Sequence, residues 1–206
     1  MVFPLAACLE VGPETESIGF LSPSETTKAL SKSPLAKVPL YNGRVVVAGP
    51  KGYCADGGAI SRGAQGSVVL IAGCDVLSGK AGASVAPAVM TVSVSPRRLT
   101  AEQPTASDLA TSLTPGKVLA SEDGDGISLV RLSSGGDAVL SGGEPRYWRA
   151  AMLINGHIVS LAAYTPKGSG TSGKALIVAL AENLREFSPT KDFTPASETI
   201  PTATAE

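Results

Sequence analysis

The sequence predicts an α+β domain, a single antiparallel sheet covered on one face by a C-terminal amphipathic helix and flanked by extended termini. Three observations carry that expectation. Ile154-Asn155-Gly156-His157 joins two apolar runs through an Asn-Gly pair, which supplies the two positive φ angles a two-residue type I′ turn requires. Leu176, Ala179, Leu180, Asn183, Leu184 and Phe187 recur at helical spacing after a Gly/Ser loop. Short β-prone runs joined by Gly- and Pro-rich turns outnumber helical stretches, the pattern of an antiparallel sheet with helices to one side.

The tight turn fixes the register of the hairpin. It sets Ile154 opposite His157, Met152 opposite Val159, Ala150 opposite Leu161 and Trp148 opposite Ala163, all on an apolar face. The other face is mixed: Leu153 with Ile158, Ala151 with Ser160, Arg149 with Ala162 and Tyr147 with Tyr164. Tyr147, Arg149, Ser160 and Tyr164 are the expected interaction face. Thr171 or Ser172 caps the helix and Pro189 ends it, because a proline ring clashes with the preceding turn.

Residues 9–42 show little periodicity, with Pro13, Pro23, Pro34 and Pro39 spread through polar residues, and read as an extended arm apart from a short helix expected over 22–31. The domain is expected over 43–187. Arg44–Ala48 forms a strand, and Ser67–Ala72 forms a second, apolar enough for the middle of the sheet. Ala88–Val94 is a third, with Val89, Thr91 and Ser93 on one face and Met90, Val92 and Val94 on the other. Thr105 with Asp108 reads as a capping box for a short helix bearing Leu109 and Leu113, stopped at Pro115-Gly116. Lys117–Ala120 and Ile127–Leu132 flank an acidic hairpin turn, and Asp137–Leu140 reads as a short edge strand. Residues 188–206 are a Thr-, Pro- and Ala-rich tail, expected to be ordered only on a partner. This element order is similar to the PsbP-like fold of extrinsic photosystem subunits, by layout alone.

At 206 residues, 43% hydrophobic and only 4% aromatic, the chain suits one domain with a closely spaced core of small side chains. A net charge of -1, with Arg97-Arg98 the one adjacent basic pair, argues against electrostatic nucleic-acid binding. No apolar run approaches the roughly 18 residues of a membrane-spanning helix.

Leu5-Ala6-Ala7-Cys8 resembles the lipobox of bacterial lipoproteins. The resemblance implies that Cys8 is acylated and that residues 1–8 are the remnant of a signal. Seven residues without Lys or Arg precede Cys8, where a leader needs about 15–30, so the match implies a start inside a longer signal, or else chance. If Cys8 carries lipid, the two remaining cysteines, Cys54 and Cys74, make a natural disulfide pair, and export supplies the oxidising compartment. The other reading is a cytoplasmic chain whose reduced cysteines pack as small apolar residues. A zinc site is not expected, with one histidine and no CxxC pair.

Three motifs point to other chemistry. Gly168–Ala175 spells both GxGxxG and GxxxxGK, but Ala175 stands where magnesium needs a hydroxyl, and no parallel strand follows. Asp123-Gly124-Asp125-Gly126 lacks the later ligands of a calcium loop. His157 is the sole histidine, with no GxSxG elbow to serve, and Asp56 and Asp75 form a pair only if the disulfide draws them together. The expected function is therefore that of a non-catalytic cell-envelope protein. It would be an exported lipoprotein in the periplasm or on the outer face of a bacterial membrane, an accessory subunit touching protein partners, with no catalytic residue, metal or cofactor. The alternatives are a small-molecule or anion-binding enzyme domain using Gly168–Lys174 and a cytoplasmic interaction module.

Overall fold

The computed structural model describes residues 34–80 and 84–189. Cys8, residues 9–33 of the expected arm and residues 190–206 of the expected tail lie outside them. The elements in order are β1 (Pro34–Leu35), β2 (Val38–Leu40), β3 (Val45–Val47), β4 (Tyr53–Asp56), β5 (Ser61–Gly63), β6 (Gly66–Gly73), α1 (Cys74–Ser78), β7 (Val89–Val94), α2 (Ala106–Ser112), β8 (Val118–Gly124), β9 (Ile127–Leu132), α3 (Gly136–Val139), β10 (Tyr147–Ile154), β11 (His157–Tyr164) and α4 (Gly173–Phe187).

Antiparallel pairing dominates, as expected. The main sheet runs β1-β4-β6-β7-β11-β10-β9-β8, with β5 on the free flank of β6. The β10–β11 hairpin has the register its turn dictates, Ile154 opposite His157 through to Trp148 opposite Ala163, and Asn155 and Gly156 take φ of 51° and 81°. Asp125 and Gly126 make the same kind of turn between β8 and β9, at φ 49° and 65°. On β7, Met90, Val92 and Val94 are buried and Val89, Thr91 and Ser93 are half-buried, the alternation read from the sequence. Thr105 and Asp108 form the capping box of α2, each accepting from the other's backbone N–H.

Four expectations need correction. The sheet is not single: β2 and β3 form a separate two-stranded ladder, so the strand around Val45–Val47 never joins the main sheet. Residues 34–42 are not an arm, because β1 pairs with β4 and β2 with β3, and Val38 and Leu40 are buried in the core. Residues 137–140 are no edge strand; Gly136–Val139 make one helical turn after Gly135, whose φ of 106° breaks extended backbone. Finally, both sheet faces carry helices, since Leu109 of α2 packs on Val130 and Ala151, away from the main core.

That core lies on the inner face. Val69, Ile71, Met90, Val92, Val159, Leu161, Ala150 and Met152 cluster there with Val45 and Val47 of the small ladder and with Ile177, Leu180, Ala181 and Leu184 of α4. Leu180 and Leu184 of the expected stripe are buried, but Ile177 and Ala181 join them while Leu176, Ala179, Asn183 and Phe187 are half-buried, so the buried stripe of α4 is turned a little from the expected one. Contacts with β3 as well as β10 and β11 explain the turn. Asn183 donates to the Gly49 carbonyl at 2.6 Å, Ser188 accepts from Val46 N–H at 3.0 Å, and Lys37 sits 3.4 Å above the Phe187 ring. Gly173, the first residue of α4, faces the Ala163 carbonyl and Trp148.

Candidate functional site

The open surface follows from the register across the sheet. On the outer face one row runs Val68, Ser93, Ser160, Ala151, Ser128, and the next runs Leu70, Thr91, Ala162, Arg149, Val130. Helix α2 covers the β9–β10 end of these rows, leaving Val130 and Ala151 buried. At the end bearing Val68, Ser93 and Ser160 the face stays open, and Val68 is 40% exposed. The short β5–β6 hairpin stands at its edge. Together they enclose a groove of about 460 Å³ lined by Ser61, Gln65, Val68, Ser93, Ile158 and Ser160 among others, with no carboxylate in its lining.

The four residues expected to form an interaction face share this outer surface but are not equally available. Ser160 lines the groove. Arg149 is half-buried, with its Nε wholly covered and without a hydrogen-bond partner. Tyr147 is half-buried and stacks on Tyr164, ring centroids 5.1 Å apart. Tyr164 itself is buried, because α3 packs against β11 above it. Burial pushes its phenol pKa up, opposed by the nearby Arg149 charge, with Tyr147 raising and Thr91 lowering it further. The sequence missed the contribution of Ser61, Gln65 and Val68. The strand over Ser67–Ala72 was legible as a central one, but not the exposure of Val68 on it, nor the folding of β5 back onto it.

Cys54 and Cys74 are joined in a disulfide, Cα atoms 4.9 Å apart, at the end of the β4–β6 ladder where Cys54 lies opposite Ala72. Asp56, fully buried, accepts from Gly58 N–H in a local turn, whereas Asp75 lies in the first turn of α1 with its Oδ1 over Gly73. Asp56 Oδ2 and Asp75 Oδ1 are both covered without a hydrogen-bond partner, and no group of three or more His, Cys, Asp or Glu side chains converges as metal ligands among the described residues. Asp123, in the acidic turn, accepts from Ala106 N–H and from the Ser128 hydroxyl, so it ties α2 to β9.

The Gly168–Lys174 loop meets α4 through a Ser172 cap that accepts from Ala175 N–H. Lys174 does not point to a free anion site; it pairs with Glu122 at 2.5 Å and lies 5.5 Å from the Trp148 ring centre. A residue no motif flagged is Gln103. Its side chain donates to Ala151 O and accepts from Leu153 N–H, taking over the β10 backbone where β9 has stopped.

His157 is buried beneath the hairpin tip and packs on Tyr41 at 4.3 Å between ring centres. Its Nδ1 lies 2.8 Å from Ser95 O, and a carbonyl only accepts, so Nδ1 carries the proton and Nε2 is a covered acceptor without a partner. Burial lowers its pKa most; the Ser95 bond raises it, and Arg44 and Arg97 lower it. The folded protein therefore holds this ring neutral to lower pH than the unfolded chain. Above the ordinary imidazole value of about 6.5 neither state is charged; below it the unfolded chain takes the proton first, and stability falls until the folded form protonates too. Urea midpoints measured between pH 8 and pH 5 should fall more steeply for the native chain than for His157→Gln. Parallel curves would show that the ring titrates normally.

No family model, no curated protein and no solved structure matches this chain.

Proposed function

We propose that this chain is a non-catalytic binding domain of the bacterial cell envelope, exported, lipid-anchored through Cys8, and docked on a protein partner by the outer face of its sheet. The observation that carries this reading is the Cys54–Cys74 disulfide. Such bonds persist in oxidising compartments, and with three cysteines in the sequence the bridge leaves Cys8 as the one thiol still to be accounted for. Acylation accounts for it. On the outer face, a concave surface open to a partner is the groove beside Val68, Ser93 and Ser160. Helix-length apolar spans are lacking among the described residues, so attachment in this reading falls to the lipid.

Two measurements test it. Protein made with its native upstream sequence should show no free thiol without reductant and a mass increase at Cys8 equal to a diacylglyceryl group. Three reactive thiols and an unmodified Cys8 would remove the envelope assignment. For docking, a photocrosslinking amino acid replacing Val68 should yield one adduct of defined mass in intact cells, while the same group replacing the exposed Glu182 of α4 yields none. Equal, heterogeneous adducts from both positions would mean that the outer face has no dedicated partner.

A further inference from the structure

We infer that two copies of this chain join edge to edge through β8, antiparallel about a two-fold axis at Ser121, so that one sheet continues across both molecules. The inference is independent of the outer groove, which lies at the β5–β6 side of the sheet, whereas β8 forms the opposite edge. The two edges differ in kind. At one, β1 and β5 are strands of two and three residues. At the other, β8 has seven, pairs only with β9 among the described residues, and is exposed from Leu119 to Gly124, Leu119 itself 46% exposed. A strand of that length with one free flank offers a row of backbone donors and acceptors to another strand.

The β8–β9 register identifies those groups. Gly124 and Ile127 flank the two-residue turn as a mutually hydrogen-bonded pair, so with period two Glu122 and Ala120 also bond towards β9. Ser121 and Asp123 therefore direct N–H and C=O outwards. The charges that could guard such an edge are turned to the fold itself: Glu122 pairs with Lys174 at 2.5 Å, and the Asp123 carboxylate accepts from Ala106 N–H and the Ser128 hydroxyl. The order of residues along β8 favours a second copy as the occupant. Centred on Ser121, the strands set Ser121 opposite Ser121 and Ala120 opposite Glu122, and exposed Lys117 of each copy runs against the acidic end of the other's β8, Glu122 to Asp125. Centring on Glu122 or Asp123 would set like charges face to face, and centring on Ala120 would put the irregularity between Val118 and Ala120 in the middle of the contact. A contact of this two-fold kind closes at two copies and leaves only the short β1 and β5 strands at the rims.

The test uses the full chain with its Cys8 thiol alkylated, so that no chance disulfide links copies. Sedimentation equilibrium at rising concentration should show the mass moving from one copy to two and stopping there. Ser121→Pro removes an outward N–H and leaves the β8–β9 ladder intact, so it should weaken association by about ten-fold or more at the unchanged melting temperature of the single copy. Lys117→Glu should weaken it by about ten-fold. The register is read separately. Two Ser121→Cys copies, with Cα atoms about 5.5 Å apart in a hydrogen-bonded antiparallel pair, should form a covalent dimer on mild oxidation, and copies carrying Lys51→Cys should not. A single-copy mass at every concentration overturns the inference, as does a mass that grows past two, or full association in Ser121→Pro. Should Ser121→Pro unfold the edge, the Ser121→Cys link decides, and its absence overturns the inference. A photocrosslinker replacing Leu119 that captures in cells a protein other than this chain overturns it too, by assigning the edge to that protein.

Discussion

Leu180→Ala is expected to lower the unfolding free energy by about 2–5 kcal/mol, the range for removing a large aliphatic side chain from a close-packed core. Leu180 is fully buried at the middle of α4, among side chains of β10, β11 and the β2–β3 ladder. Aromatic residues are too few to fill a void from elsewhere, and the sheet beneath is pinned by ladders on both sides, so the site collapses poorly. Glu182→Ala, on the exposed side of the same helix, should stay within about 0.5 kcal/mol of the parent. Urea denaturation of both variants checks the contrast. A Leu180→Ala loss no greater than that of Glu182→Ala would mean that α4 is a detachable appendage and that the inner face is covered by something else.

Breaking the Cys54–Cys74 bridge should have the next largest effect. It closes a loop with a sequence separation of 20, and the chain-entropy model assigns such a loop about 3 kcal/mol. The loop contains β5 and all of β6, so the unfolded chain regains the freedom of the segment that forms one wall of the groove. Cys54→Ala/Cys74→Ala and the reductant-treated parent should therefore unfold at similar, lowered urea midpoints. Unchanged midpoints on reduction would show that the neighbouring ladder, including Cys74 N–H to Gly52 O at 3.0 Å, holds this edge without the bond.

Where a few adjacent residues decide the geometry, the sequence was informative. Asn155-Gly156 dictates a two-residue turn, and that turn dictates which of sixteen hairpin side chains face the core, because strand side chains alternate with period two. Thr105 with Asp108 likewise specifies a helix start within one turn. The candidate site was half legible for the same reason. Tyr147, Arg149 and Ser160 could be assigned to one face, whereas the burial of Tyr164 under α3 could not, since it depends on a helical turn the local pattern had marked as strand.

By itself, then, the sequence determined the antiparallel α+β class, the hairpin register, the caps and the inward alternation of β7, all consequences of neighbouring residues on one stretch of backbone. Only the tertiary structure decided that residues 34–42 belong to the fold, that β2–β3 stands apart, that α4 rotates its buried stripe to meet β3, and that β5 folds over Ser93 and Ser160 to make a groove. Those outcomes rest on contacts between segments far apart in the chain, where many pairings satisfy the same local pattern and the choice among them is made by mutual burial.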